Sequence, residues 1–382
     1  MTIDLAMFAD KFRRYCAQFD VAPPEISQET GIPLDRLTAL AEGKFEPTGD
    51  EVLILADFFK CDFKFFISNE RLASFEQTEA LFRKHETTLT REDRWAIQEF
   101  LFLCECQEFL LSNMPDVTRH LFTFGKSGTF YKQHGQDAAI ALRRHLGYEF
   151  KQVSKDIYRD FRGIGIHVFR RKLGQSAISG LFVRHPAAGP CVLVNYSEDV
   201  FRQRFTAAHE AAHAILDNET GFVVSFSKWS TKDLSEVRAH TFASHLLMPP
   251  EFLKAIPDVA VWDQNKLVDW AVRLMVNAEP LAYALEDAGL ITNQQVASLK
   301  DTKIPRDRKS DPELPDSLSP RTRIRKEQLL QRGLSGFYVG LCFDGYEKGV
   351  VSEGRLAEML LVTEPEVTEI AELYGRRLAH AD

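Results

Sequence analysis

A chain of 382 residues, 45% hydrophobic and 27% charged, has enough apolar material for two or three globular domains. The formal net charge of -8 excludes a protein that coats nucleic acid indiscriminately, because phosphate binding needs a basic surface. Six cysteines (Cys16, Cys61, Cys104, Cys106, Cys191, Cys342) are scattered without a C-x-x-C pair, the pattern of free thiols in a reducing compartment and not of a cysteine zinc site.

Met1 to Asp10 carries acidic residues and no long apolar run, so it does not read as a signal peptide. Residues Leu5 to Ser68 read as several short helices. Apolar positions recur at helical spacing in Leu5, Phe8, Ala9 and Phe12, and again in Val52, Leu53, Leu55, Ala56 and Phe59. Pro23-Pro24, Gly31-Ile32-Pro33 and Gly43 punctuate them. A polar connector, Asn69 to Arg94, leads to the most apolar stretch, Trp95 to Leu111. Glu99, Glu105 and Glu108 interrupt that stretch, and it falls short of the roughly 20 apolar residues that span a bilayer. A buried helix in a cytoplasmic protein with no membrane segment is the expectation.

Ala138 to Leu146 reads as a helix stopped at Gly147. Ile166–Phe169, Ile178–Val183 and Cys191–Asn195 read as strands, the last two separated by the turn-like Pro186-Ala187-Ala188-Gly189-Pro190. Helical segments follow at Glu198–Leu216 and Lys232–Leu247, and Met248-Pro249-Pro250 ends the second. Asp301 to Pro320, rich in charge and proline, reads as a linker or mobile loop, and Thr322 to Asp382 as a small helical tail. The expected fold is mainly α with a small β-sheet (α+β). Its expected parts are a helical bundle over 1–70, a helical connector over 71–136, a central domain over 137–300, the linker over 301–320 and a C-terminal helical region over 321–382.

The chemistry concentrates in His209-Glu210-Ala211-Ala212-His213. Two histidines at i and i+4 of a helix point from one face and can share one Zn2+, which takes neutral imidazoles and carboxylates and leaves a position for water. Glu210, beside that face, is then the group that takes a proton from the water and later gives it to the leaving amine. For the third ligand two residues compete. Glu236 opens a second predicted helix, which could run antiparallel to the first and bring its carboxylate to the ion. His240 then lies one turn further along and holds a ligand imidazole in place. Alternatively His240 is itself the ligand and Glu236 a surface charge. The motif favours Glu236.

These strings resemble the ImmA/IrrE metallopeptidases. Arg204-Phe205-Thr206-Ala207-Ala208-His209-Glu210-Ala211-Ala212-His213 carries the first half of the resemblance. Glu236-x-x-Ala239-x-x-Phe242-Ala243-x-x-Leu246-Leu247-Met248-Pro249 carries the second. Together with Leu274–Ile291, the similarity covers residues 137–291 and implies a zincin-like domain with His209, His213 and Glu236 as ligands and Glu210 as catalytic carboxylate. Val192-Leu193-Val194-Asn195 resembles the family's edge strand, against which a peptide substrate aligns by β-addition. Two positions depart from the pattern: relatives usually carry Asn or Asp in place of His240, and often Glu in place of Arg238.

The N-terminal region resembles a Cro/repressor-type (XRE) helix-turn-helix domain, through Ile26-Ser27-Gln28-Glu29-Thr30-Gly31-Ile32, Leu40-Ala41-Glu42-Gly43-Lys44-Phe45-Glu46-Pro47 and Leu53…Leu55-Ala56-Asp57. Its recognition helix would begin near Pro33, with Arg36, Thr38 and Lys44 as the candidate DNA contacts. Against this, residues 1–70 hold seven Lys/Arg and thirteen Asp/Glu, which leaves dimerisation or partner docking as the competing role. The basic clusters Arg143-Arg144-His145, Arg159 to Arg162, Arg170-Arg171-Lys172 and Arg321 to Lys326 read as solvated faces.

The resemblance implies a zinc endopeptidase that cuts a protein partner, a regulatory or DNA-binding protein, in a stress, phage or toxin–antitoxin response. DNA bound through the N-terminal domain and a homodimer are further expectations. The competing reading is a DNA-binding regulator or partner scaffold with a non-catalytic zinc site.

Overall fold

The computed structural model describes residues 3–68, 81–82, 89–114, 122–125, 130–174, 178–217, 221–226 and 233–378. The chain is mainly helical around one four-stranded mixed sheet, the α+β class that the sequence predicts. The polar connector falls for the most part outside the described residues. Among the described residues no helix is long and apolar enough to cross a membrane.

Helices α1 (Leu5–Phe19), α2 (Pro23–Thr30), α3 (Leu34–Ala41), α4 (Gly49–Phe58) and the single turn α5 (Lys64–Ile67) close around Phe8, Phe12, Tyr15, Phe19, Phe59 and Phe66. Local signals set their ends. Pro23 sits in the first turn of α2, Gly31 ends it at φ +76°, and a Thr48–Glu51 capping box starts α4. Helix α6 (Arg91–Asn113) begins at a second capping box, Thr90 with Asp93. Its Trp95 packs on Phe19, Phe58 and Phe59, and Arg94 Nη1 donates to Gln18 O at 2.9 Å, so the first bundle is mounted on α6.

Helices α7 (Tyr131–His145) and α8 (Ile157–Gly163) precede the sheet strands β1 (His167–Arg171), β2 (Ile178–His185) and β3 (Gly189–Asn195). Helix α9 (Val200–Leu216), strand β4 (Phe222–Phe226) and helix α10 (Leu234–Leu247) follow. Sheet order is β1-β3-β2-β4, with β1 parallel to β3 and the other pairs antiparallel. Strand β4 is absent from the sequence expectation. A second correction concerns Val192–Asn195: strand β3 lies inside the sheet, hydrogen-bonded on both sides, so it is not the edge. The edges are β1 and β4, and β1 is covered by the later chain, where Lys172 N donates to Gln331 O at 2.8 Å and Arg171 bridges to Arg332.

Strand alternation divides the core in two. Phe169, Leu181, Leu193 and Cys191 face α6 and share one cluster with the N-terminal bundle and the C-terminal helices. Val168, Phe182, Val192 and Val194 face α9, α10 and the helices α11 to α14 (Pro250–Lys254, Gln264–Leu274, Ala278–Asp287, Asn293–Leu299). The tail forms α15 to α18 (Pro320–Gln331, Gly336–Glu347, Glu353–Met359, Glu364–Tyr374), and Tyr338 sets its ring 5.4 Å from Phe169 on the back of the sheet.

Residues 301–320 are tied down where a linker was expected. Arg170, buried in β1, reaches Asp311 (2.7 and 3.0 Å) and Glu313 (2.7 Å). Lys309 Nζ donates to Asp199 Oδ2 at 2.6 Å. The basic clusters are likewise not all solvated: Arg143, Arg170 and Arg171 point inward, Arg143 to the Leu246 and Gln152 carbonyls and Arg171 to Glu99 and the Arg332 carbonyl. Their charges are partners for acids and carbonyls distant in sequence, which a local reading does not see. Breaking one side of a buried ion pair costs about 3–5 kcal/mol. Arg170→Met is therefore expected to lower the unfolding free energy by about that amount in urea titration, and to open residues 301–320 to limited proteolysis.

Candidate metal centre

Helix α9 starts at Asp199, whose carboxylate accepts from Phe201 N and Arg202 N while holding Asn277 and Lys309. Five small residues, Ala207, Ala208, Ala211, Ala212 and Ala214, let it lie close on the sheet. Closeness is greatest at Gly180 of β2, where a Cβ would stand 2.8 Å from Glu210 Oε1 and 2.6 Å from Thr206 Cγ2. The same device brings α7 against α10: a Cβ on Gly135 would stand 2.5 Å from the Arg238 carbonyl. Helix α10 thereby crosses α9 with Glu236, in its own first turn, facing the two histidines.

The three donors converge. His209 Nε2 is 3.1 Å from Glu236 Oε2, His213 Nε2 is 3.3 Å from Glu236 Oε1, and the two imidazole nitrogens are 3.3 Å apart. A tetrahedral zinc with bonds near 2.0–2.1 Å has donor–donor edges of roughly 3.3–3.4 Å, so this triangle has the size of one tetrahedral face. Among the described residues these three form the one group with metal-ligand geometry. His240 lies outside it, its ring tilted against Phe205 at 5.0 Å, and burial together with the nearby His209 pushes its pKa down to about 4.

Glu210 is fully buried beside the Ser225 hydroxyl of β4, and among the described residues neither of its oxygens completes a hydrogen bond of ordinary geometry. Burial pushes its carboxyl up, with His209 and His213 pulling the other way. A buried carboxylate without partners is costly and asks for a proton, a cation or water beside it. The donor set fits a divalent ion on that count as well as on distance.

A residue the sequence reading missed completes the site. Asp217, one turn past His213, accepts from His213 Nδ1 at 2.8 Å and caps the end of α9. Its other oxygen pairs with Arg238 of α10, whose guanidinium lies 5.4 Å from the Tyr131 ring of α7. The arrangement fixes which His213 nitrogen faces the centre and joins the two ligand-bearing helices. Burial opposes a charge on His213, yet Asp217 and Glu236 outweigh it and push the imidazole up to about 10. Burial would also raise Glu236, but the two imidazoles hold it well below the usual carboxylate range. The i+4 step from His213 to Asp217 was the available signal.

The residues offered for DNA contact are engaged at home. Arg36 spans Glu51 with Nε and Nη2 (2.7 and 2.9 Å) and donates to Glu46 O, Thr38 Oγ1 donates to Leu34 O at 2.8 Å, and Lys44 pairs with Glu42 at 2.6 Å.

Residues 162–286 match the IrrE N-terminal-like domain of the Peptidase_M78 family, which marks this part of the chain as peptidase-type. No curated protein matches the chain. The matched span contains β1 to β4, α9, α10 and every residue of the centre.

Two substitutions test how the centre is held. Asp217→Ala is expected to weaken divalent-metal affinity about 10–100-fold, read by chelator competition. Gly180→Ala is expected to destabilise the fold and to weaken metal affinity as well, because a methyl 2.6 Å from Thr206 Cγ2 and 2.8 Å from Glu210 Oε1 forces α9, which carries both histidines, away from the sheet.

Proposed function

We propose that this chain is a zinc endopeptidase of the HExxH type that cuts a protein partner. The observation that carries the reading is the triangle of His209, His213 and Glu236 with the fully buried carboxylate of Glu210 beside it, which finds no cation and no backbone donor among the described residues. A purely structural metal site needs its ligands and nothing more. A further buried carboxylate beside those ligands is costly there, and it is the group that water activation requires.

Bound zinc would supply Lewis acidity to the scissile carbonyl and to a water. The chain's own groups do the rest. His209, His213 and Glu236 set the position of the centre, and Asp217 with Arg238 keeps His213 turned toward it. Glu210 takes the proton from the attacking water on one of its free oxygens and returns it to the leaving amine, and its burial suits a group that must hold that proton between the two steps. The substrate chain aligns on β4, whose outer edge pairs with no other strand among the described residues and whose Ser225 lies beside Glu210. β-Addition of this kind accepts an extended protein segment, which favours a protein substrate.

The N-terminal bundle completes the proposal as a helix-turn-helix module of Cro/repressor type, supported by α2 and α3 flanking the three-residue turn Gly31 to Pro33. A regulatory protein as the cut partner, and free thiols working in the cytoplasm, fit this composition.

The reading is tested by elemental analysis beside a proteolysis assay on casein and on proteins co-purified with the Glu210→Gln variant. Wild type is expected to carry one zinc per chain. His213→Ala and Glu236→Ala should lose it, and Glu210→Gln should retain it while cleavage falls about 10²–10⁴-fold, the range for removing a general base. Cleavage that persists in Glu210→Gln, or a wild type that refuses zinc, would overturn the proposal.

A further inference from the structure

Of the thirteen large apolar side chains exposed among the described residues, five fall between Leu34 and Phe63 in the N-terminal bundle. Helix α4 shows the oddity best. Its outward stripe, at i, i+3, i+4 and i+7, reads Asp50, Leu53, Ile54 and Asp57, with Leu53 55% and Ile54 38% exposed. An outward face of a stable surface helix is ordinarily polar, and clustered apolar exposure marks an interaction site. The patch continues sideways. Glu51, one turn before Ile54 and Leu55, is bridged by Arg36, and the Phe45 ring lies 5.8 Å from that guanidinium and is 58% exposed.

Charge narrows the occupant. Residues 1–70 carry thirteen acidic against seven basic side chains. Six of the seven cations are committed within the bundle: Lys11 to the Phe65 and Ser68 carbonyls, Arg13 to the Ala41 carbonyl, and Arg14, Arg36, Lys44 and Lys60 to Asp10, Glu51, Glu42 and Asp57. A phosphate backbone meeting this surface finds acids first and would have to break these pairs. A second copy of the same face brings like charge against like. The complement of apolar anchors edged by Asp35, Glu46, Asp50 and Asp57 is an apolar stripe edged by Lys and Arg.

We propose that the α3–α4 face is a docking site for an amphipathic basic helix of a partner protein, held on the bundle by Phe45, Leu53 and Ile54. The bundle is fixed to α6 through Trp95, so the docked partner is held in a set relation to the sheet that carries the metal centre. This inference rests on the peptidase reading only in taking the docked protein as the one that is cut.

The test uses the full chain carrying Glu210→Gln, so that binding is read without turnover and can succeed or fail apart from proteolysis. Fluorescence anisotropy compares a Leu/Lys amphipathic helical peptide, its Leu/Glu counterpart and a mixed-sequence DNA duplex at physiological salt. The Leu/Lys peptide is expected to bind, at least about tenfold tighter than the Leu/Glu peptide, and to lose about tenfold in Leu53→Ser/Ile54→Ser, as for loss of interface anchors. Asp50→Lys, a surface change that leaves the core intact, should weaken it in the same direction. Hydrogen exchange should show protection on α3 and α4. Equal binding of the Leu/Lys peptide by wild type and the double-serine variant, or duplex binding that displaces the peptide, would overturn the proposal. So would a dimer that the double-serine variant dissolves.

Discussion

Everything at the centre depends on how closely two helices approach. His209 and His213 come from one helix and Glu236 from another, and their nitrogens and oxygens meet within 3.1 to 3.3 Å. Such a meeting requires backbones that side chains do not hold apart. Alanines along α9 and Gly180 beneath Glu210 seat α9 close on the sheet, and Gly135 lets α7 come up against α10 at the Arg238 carbonyl, so each ligand-bearing helix is pressed into place by its other neighbour. The Asp217–Arg238 pair then joins the helices at the same level, with one carboxylate serving both the imidazole and the guanidinium. A buried pair of this kind contributes little net stability by itself, and its value here is geometric.

The sheet behind the centre serves two clients. One face supports α9 and α10, while the other is packed by the N-terminal bundle, α6 and the C-terminal helices in a single apolar cluster. The two ends of the chain thus reinforce the same four strands from behind. Arg170 with Asp311 and Glu313, and Lys309 with Asp199, continue that reinforcement to the N-terminus of α9. The peptidase-type span 162–286 is thus held from behind by segments that lie outside it.

What the sequence revealed was local. The i, i+4 histidines, the N-terminal helices and the first three strands are written in spacing of a few residues, and the helices Val200–Leu216 and Leu234–Leu247 fall within two residues of their expected limits. Glu236 was legible because the string after it is specific. What escaped reading was long-range. Strand order makes Val192–Asn195 an interior strand, and no pattern within that strand reports its neighbours. Phe222–Phe226 is a short strand whose pairing partner lies some forty residues earlier. Arg170 and Arg171 look like surface charge until Glu99, Asp311 and Glu313 are brought to them by folding. Asp217 was readable, one helical turn from His213, but a lone aspartate acquires meaning only once Arg238 is seen beside it.

The central proposal is that the two imidazoles and one carboxylate that converge between α9 and α10 hold a zinc ion. X-ray absorption at the zinc edge of the purified protein tests it most directly, since nitrogen-ring scattering counts the histidines. The account predicts a spectrum with two imidazoles and light oxygen donors, unchanged in His240→Ala and lost with the metal in Glu236→Ala. Three imidazoles in the wild type, falling to two in His240→Ala, would contradict it.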